Sequence, residues 1–211
     1  MIDPRIAAII PVGPLEAAKT RLGGALDAEE RQDLAERFLV RTLGAALAVD
    51  RLADILVVSP DREVLQRAAD LGARTLRQRT SGLNAGLAEA REDVAAGGAD
   101  AVVVLPIDLP FVTAEAIGQV LDALAPAGDD GGSRVVLVTD RHESGTNVLA
   151  LRPPDAIDFR FGPDSRQAHR DAALAADVAY LEVGGPLALD LDTPADLVLI
   201  ESIAPETIGA G

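Results

Sequence analysis

Ala101-Val-Val-Val-Leu-Pro-Ile-Asp-Leu-Pro110 begins with five apolar residues in a row and ends on an aspartate held between two prolines. A strand with one wet face alternates apolar and polar side chains, whereas a run without alternation belongs at the centre of a parallel sheet covered by helices on both faces. Similar short runs lie on either side of it, separated by longer amphipathic stretches. Residues 5–10 and 54–59 read as buried strands, 74–76 as a short one, and 135–138, 147–151, 179–183 and 187–191 as extended. Helices are predicted over 27–49, with Asp27 as N-cap and Glu30 three residues on, over 62–71 closed by Gly72, and over 83–96 ending at Gly97-Gly98. Further helices are predicted over 114–124, 166–176 and 194–203, the last with Pro194 at its first helical position. The alternation predicts a three-layer α/β fold of the Rossmann-like class with a mostly parallel sheet, occupying residues 1–211 as a single domain. Ligands in such folds bind beyond the carboxyl ends of the strands.

Composition narrows the function. The chain has 211 residues, 48% apolar and 25% charged, and its 19 Gly and 13 Pro show no repeat period, so a fibrous or solenoid architecture is excluded. The formal net charge of −15 leaves little basic surface for nucleic acid, which is not an expected partner. The acidic excess is uneven: residues 1–100 carry 13 basic and 16 acidic side chains, residues 101–211 only 6 and 18. Those carboxylates are either a solvated surface or, in part, ligands for a metal. With no cysteine and two distant histidines, His142 and His169, any such metal is a hard, oxygen-liking one. No apolar run approaches the ~20 residues of a membrane span, and no secretory signal is legible, so a cytoplasmic protein without a membrane partner is expected.

The predicted strand ends carry the chemistry. After the first comes Pro11-Val-Gly-Pro-Leu-Glu-Ala-Ala-Lys19-Thr-Arg21, a loop without a GxGxxG or GxxxxGK[ST] motif but with two cations. Lys19 is the chain's only lysine against 18 arginines. An ammonium suits a point contact to polyphosphate, and a guanidinium grips two oxygens at once; the alternative is a pair of ordinary surface cations. Asp108 follows the central strand. In Leu189-Asp190-Leu-Asp192 a period of two sends both carboxylates to one face, and with Asp108 they form a candidate magnesium site shared with phosphate oxygens. The competing account has Asp192 capping the helix near Pro194 and Asp190 as surface charge. Arg160-Phe-Gly162-Pro-Asp-Ser165 precedes a helix whose N-terminus favours an anion. Ser165 and His169, four apart, share a face, but without a nucleophile elbow Ser165 reads as a hydrogen-bond donor to a phosphate or carboxylate. The loop Arg141-His-Glu-Ser-Gly145-Thr146-Asn147 offers further donors.

Together these stretches resemble the guanylyltransferases of deazaflavin coenzyme (F-420) biosynthesis, which act on 2-phospho-L-lactate or phosphoenolpyruvate. The similarity runs through Ile9-Ile-Pro-Val with Ala18-Lys-Thr-Arg-Leu22, Val57-Val-Ser-Pro60, Gly82-Leu-Asn84 and Leu105-Pro-Ile-Asp-Leu-Pro110. It continues through Gly145-Thr-Asn147, Phe161-Gly-Pro-Asp-Ser165 with His169, and Asp190-Leu-Asp-Thr-Pro194. The resemblance implies a nucleotidyltransferase fold of the molybdopterin-guanylyltransferase type. It implies that Lys19 and Arg21 hold the GTP phosphates and that Gly82, Leu83 and Asn84 seat the nucleoside. Asp108, Asp190 and Asp192 would hold Mg2+, with Lys19, Arg21 and Asp108 as the catalytic set. Thr146, Gly162 and Ser165 would bind the phosphate and carboxylate of a small three-carbon acid. Gly13 departs from the family, standing where relatives often have lysine.

The expected reaction is attack of the acceptor's phosphate on the α-phosphorus of GTP, with diphosphate leaving. An acceptor phosphate is already anionic near pH 7, so no strong general base is required. Other acceptors, such as 3-phosphoglycerate, molybdopterin or a sugar phosphate, remain open from the sequence, as do a GTP-binding regulatory domain without turnover and a homodimeric state.

Overall fold

The computed structural model describes residues 4–15, 20–125 and 132–208. Seven strands form one sheet: β1 (Ile6–Pro11), β2 (Leu52–Ser59), β3 (Arg74–Arg77), β4 (Ala101–Val104), β5 (Arg134–Val138), β6 (Val148–Arg152) and β7 (Ala179–Glu182), in the order β3-β2-β1-β4-β6-β5-β7. Every neighbouring pair is parallel except those of β6, which runs against both β4 and β5. The central run is thus a mid-sheet strand, flanked by β1 and β6.

The lack of polar alternation in β4 has a direct cause. Ala101, Val103 and Leu105 enter one apolar core and Val102 and Val104 the other, and β1 divides likewise, Ile6, Ala8 and Ile10 against Ala7 and Ile9. The first core is closed by α1 (Ala28–Leu47), α2 (Arg62–Asp70) and α4 (Ala114–Leu124). The second is closed by α3 (Leu83–Ala96) and α5 (Ser165–Ala175), together with Ile157 and Phe159. Asp27 caps α1 through the expected capping box with Glu30, and α3 and α4 have the predicted bounds. Among the described residues no helix is long and apolar enough to cross a membrane.

Near the C-terminus one expectation is corrected and one competing account is ruled out. Residues 187–191 do not add a strand: Pro186–Ala188 forms a 3-10 turn, and Leu191 is buried in a third, smaller core with Leu22, Phe38 and Ile200. This core, not a ladder, produces the apolar-polar alternation, since a buried Leu191 leaves Asp190 and Asp192 on its open side. Nor does Asp192 cap the next helix. Thr193 does, its hydroxyl accepting from the Asp196 N–H of α6 (Pro194–Ile203), while the Asp196 carboxylate accepts from the Thr193 N–H at 2.7 Å. A short α7 (Pro205–Ile208) follows, held to α1 by Arg37 and Arg41, which donate to the carbonyls of Ile208 and Thr207.

Candidate active site

The carboxyl edge of the sheet opens into a cleft of about 390 Å³ whose lining includes Gly13, Arg21, Leu83, Asp108, Phe161 and Asp192. A second cavity of about 340 Å³ shares Pro11–Pro14 and Leu83 with it and extends past Val58, Gln78 and Gly82. The floor between them is the turn after β1. Lys19 lies outside the described residues. Arg21 sits in the 3-10 turn Thr20–Leu22 and meets the Asp192 carboxylate at 2.9 Å, with both side chains substantially exposed. The predicted phosphate cation and the predicted metal ligand therefore neutralise each other at the cleft mouth.

Gly82 begins α3 at φ 97°, a left-handed conformation that glycine adopts without strain, and no side chain caps the helix. The turn before it is fixed from behind by Glu89. Its carboxylate accepts from the Thr80 hydroxyl and from the N–H groups of Arg79 and Thr80 at 3.0 and 2.7 Å. These bonds, that from the Thr80 hydroxyl foremost, hold Glu89 down to about 2. The Asn84 amide pairs with one residue through both of its ends: Nδ2 donates to the Phe161 carbonyl at 2.9 Å, and Oδ1 accepts from the Phe161 N–H at 2.8 Å.

Asp108, Asp190 and Asp192 come together in space although 82 residues separate the first two. The Leu191 N–H donates to the Asp108 carbonyl at 2.9 Å and locks the two loops side by side. Asp190 is pushed up to about 6, first by burial and then by the charges of Asp108 and Asp192. Asn147, buried, donates to the Leu187 carbonyl at 3.0 Å and reaches Asp190 at 3.5 Å. Among the described residues no three carboxylate or imidazole side chains already converge as a metal site. The donor set nevertheless fits a hard divalent cation. Magnesium takes one or two protein carboxylates and completes its shell with phosphate oxygens and water, and carboxylates crowded enough to repel one another are relieved by a cation between them.

The third side of the cleft is a loop held by His169. This imidazole is fully buried and held down to about 4, chiefly by burial and then by the charge of Arg160. Its Nε2 accepts from the Arg160 N–H at 2.9 Å, so the neutral ring carries its proton on Nδ1 and donates to the Thr146 hydroxyl at 3.0 Å. The Thr146 O–H is then directed away from the ring. Gly162 stands at φ 136°, and Asp164, the N-cap of α5, makes no side-chain cap bond. Ser165, the first residue of α5, is buried. Of the predicted acceptor residues, Thr146, Gly162 and Ser165 are therefore linked through one imidazole and one loop, although none of the three lines the larger cleft itself.

Two supporting residues were not singled out in the sequence. Arg141 grips Asp196 at 2.8 and 2.6 Å, and the other Asp196 oxygen accepts from the N–H groups of Asp192 and Thr193. The Thr-x-x-Asp spacing of 193–196 is the signal that identifies Asp196 as a box residue. Nothing in the sequence announces Arg141 as its partner.

A seven-stranded, mostly parallel sheet with a cationic turn and clustered carboxylates at its carboxyl edge is a nucleotidyltransferase architecture. Solved structures agree on the fold. The chain matches a putative nucleotide-diphospho-sugar transferase from Desulfovibrio desulfuricans at TM-score 0.76 and 20% identity, covering 95% of this chain and 88% of that one. It matches a nucleotidyl transferase from Methanothermobacter thermautotroptrophicus at TM-score 0.65 and 16% identity, covering 96% and 99%. The family model described as "Guanylyl transferase CofC like" matches residues 6–202, and the chain belongs to that family. It is 40% identical over 200 residues to the phosphoenolpyruvate guanylyltransferase of Sphaerobacter thermophilus, covering 94% of this chain and 93% of the relative. To the phosphoenolpyruvate guanylyltransferase of Rubrobacter xylanophilus it is 42% identical over 198 residues, covering 93% and 94%.

Proposed function

We propose that this chain transfers GMP from GTP to the phosphate of phosphoenolpyruvate, releasing diphosphate, as a cytoplasmic enzyme of F-420 biosynthesis. The observation that carries this reading is that Arg21, Asp108 and Asp192 line one cleft, with Asp190 close enough to feel the charges of both aspartates, in a chain so similar to enzymes named for this activity. Gly82, Leu83 and Asn84 form the turn that seats the nucleoside, and Lys19 and Arg21 hold the triphosphate, Arg21 exchanging Asp192 for phosphate oxygens as GTP enters. Asp108 and Asp190, with Asp192 once Arg21 has left it, are the residues that would hold Mg2+. Bound there, the ion would supply charge neutralisation for the phosphates.

On the acceptor side, Thr146 donates its hydroxyl proton, Gly162 lets the main chain approach closely, and Ser165 with the uncapped N-terminus of α5 meets the remaining anionic oxygens. The acceptor's phosphate oxygen then attacks the α-phosphorus in line, the α–β anhydride bond breaks, and diphosphate departs without a covalent enzyme intermediate. Alignment and charge stabilisation, not proton transfer, supply the rate enhancement.

The test is turnover with GTP, Mg2+ and each of phosphoenolpyruvate, 2-phospho-L-lactate and 3-phosphoglycerate, with products read by mass spectrometry. A guanylylated phosphoenolpyruvate formed faster than the other two adducts is the expected result. Turnover with another acceptor only, or GTP binding with no diphosphate release on any acceptor, overturns the assignment.

A further inference from the structure

The cleft has a nucleotide side built on the N-terminus of α3 and an acceptor side built on the loop before α5. One side chain joins them. Asn84 lies 77 residues from Phe161 in sequence, yet its amide makes a closed pair of hydrogen bonds with the Phe161 main chain, at 2.9 and 2.8 Å. An amide carries one acceptor oxygen and one donor nitrogen in a fixed plane, so this pairing defines both the distance and the twist between the two backbones. Leu83, the residue before Asn84, lines both cavities, and Phe161 lines the larger one.

The loop is gripped again one residue earlier, where the Arg160 N–H donates to His169, whose ring stands edge-on to Phe161 at 5.2 Å between centroids. Two successive main-chain groups are thus pinned from different elements, Arg160 from α5 and Phe161 from α3. Only the second link reaches the nucleotide turn.

Building on the guanylyltransferase reading, we infer that Asn84 is a positioning residue that couples the two half-sites, so that nucleotide bound at the turn before α3 orders the acceptor loop through Phe161. When ordering one region removes part of the entropic cost of binding at another, the coupling is reciprocal and is carried by the element they share. Here that element is a single amide. The consequence is an acceptor loop, already pinned by Asn84 and His169, that is held more firmly once GTP is in place.

The experiment is hydrogen exchange of residues 159–165, measured by mass spectrometry and at the Phe161 amide by NMR. It is run with and without guanosine 5′-(α,β-methylene)triphosphate and Mg2+, a nucleotide whose α–β bond cannot be cleaved. In the wild-type chain the analogue is expected to slow exchange of this segment at least about fivefold, within the range of ordinary allosteric coupling. In Asn84→Ala, with the analogue raised until equilibrium dialysis shows the site saturated, the slowing falls below twofold, and the KM for phosphoenolpyruvate at saturating GTP rises by a larger factor than kcat falls. Equal slowing in wild type and variant, or no slowing in the wild type with nucleotide bound, overturns the coupling.

If Asn84→Ala does not fold, Asn84→Asp takes its place. It keeps the acceptor for the Phe161 N–H and sets a carboxylate oxygen against the Phe161 carbonyl. At least a halving of the slowing is expected, and full wild-type slowing refutes the role. Failure of the analogue to bind the wild-type chain at all would instead overturn the guanylyltransferase reading and, with it, the coupling that rests on it. Binding without transmitted protection overturns the coupling alone.

Discussion

The main-chain N–H of Leu191 donates to the carbonyl oxygen of Asp108 across 2.9 Å, so the loop after β4 and the segment before α6 are joined through backbone, independently of the carboxylates they carry. Scaffold and charge are therefore separable in this site. An aspartate can be neutralised without cutting the bond that sets its position.

Asp190→Asn and Asp108→Asn are accordingly expected to fold and to lose at least about a hundredfold in kcat, or about 2.7 kcal/mol of barrier stabilisation. Asp190 is partly buried beside two other carboxylates, so its neutral variant is expected to melt no lower than the wild type. A thermal melt paired with diphosphate release on the same samples checks both. Near-normal turnover in either variant removes that residue from the metal set.

His169 predicts a slope of stability with pH. In the folded chain the ring stays neutral down to about pH 4, whereas in the unfolded chain it takes up a proton below its ordinary value of 6.5. The unfolded state thus binds the extra proton between these values. The contribution of His169 is fully present above pH 6.5 and is lost as pH falls towards 4, by about 3 kcal/mol in total. Urea unfolding at intervals from pH 7.5 to 4.5 should show wild type and His169→Gln converging as pH falls. Parallel curves would mean that the ring is not held neutral.

Asp196→Ala is expected to be among the most destabilising changes near the site. Its side chain is 4% exposed, receives Arg141 at 2.6 Å, and also holds the main chain of Asp192 and Thr193. The Arg141 left behind is solvent-accessible and regains water, so the loss comes from the broken capping box and the unpaired Asp192 and Thr193 N–H groups, roughly 2 kcal/mol in all. The same variant frees the Asp192 N–H, so a raised Mg2+ requirement should accompany the lower melting temperature. Unchanged Mg2+ dependence would confine Asp196 to a purely supporting role in α6.

Gly13→Lys tests the departure from the family in the first loop. A Cβ at this position meets no atom within 4 Å, and the residue lines both cavities. A lysine there fits sterically and is expected to lower the KM for GTP two- to fivefold, roughly the 0.5–1 kcal/mol of an exposed ionic contact. The gain should shrink from 50 mM to 500 mM salt as screening grows. A KM for GTP that does not move places the triphosphate elsewhere.

The framework was legible because its signals are local. The unbroken apolar run at Ala101–Val104 reports burial on two faces, and the Asp27–Glu30 box reports the start of α1 within four residues. The misreading at 187–191 has a physical origin: Leu189 and Leu191 alternate with aspartates as a strand would, but they do so to fill the small core under α6. The aspartates could be nominated from the strand-end rule, whereas the pairings Arg21–Asp192, Arg141–Asp196 and Asn84–Phe161 span 171, 55 and 77 residues. No local pattern encodes such partners, because each depends on where two distant turns are set down by the sheet.

The reversal of β6 has a consequence for how this scaffold diversifies. Because β5 leaves the sheet at the rim where β6 enters it, the segment 139–147 begins and ends on the same lip and never crosses the layers. Arg141, Thr146 and Asn147 tie that lip to Asp196, His169 and the Leu187 carbonyl, so its length can change only between those ties. A chain built this way can be retailored for a bulkier or smaller second substrate by editing one hairpin, provided that Arg141, Thr146 and Asn147 are kept.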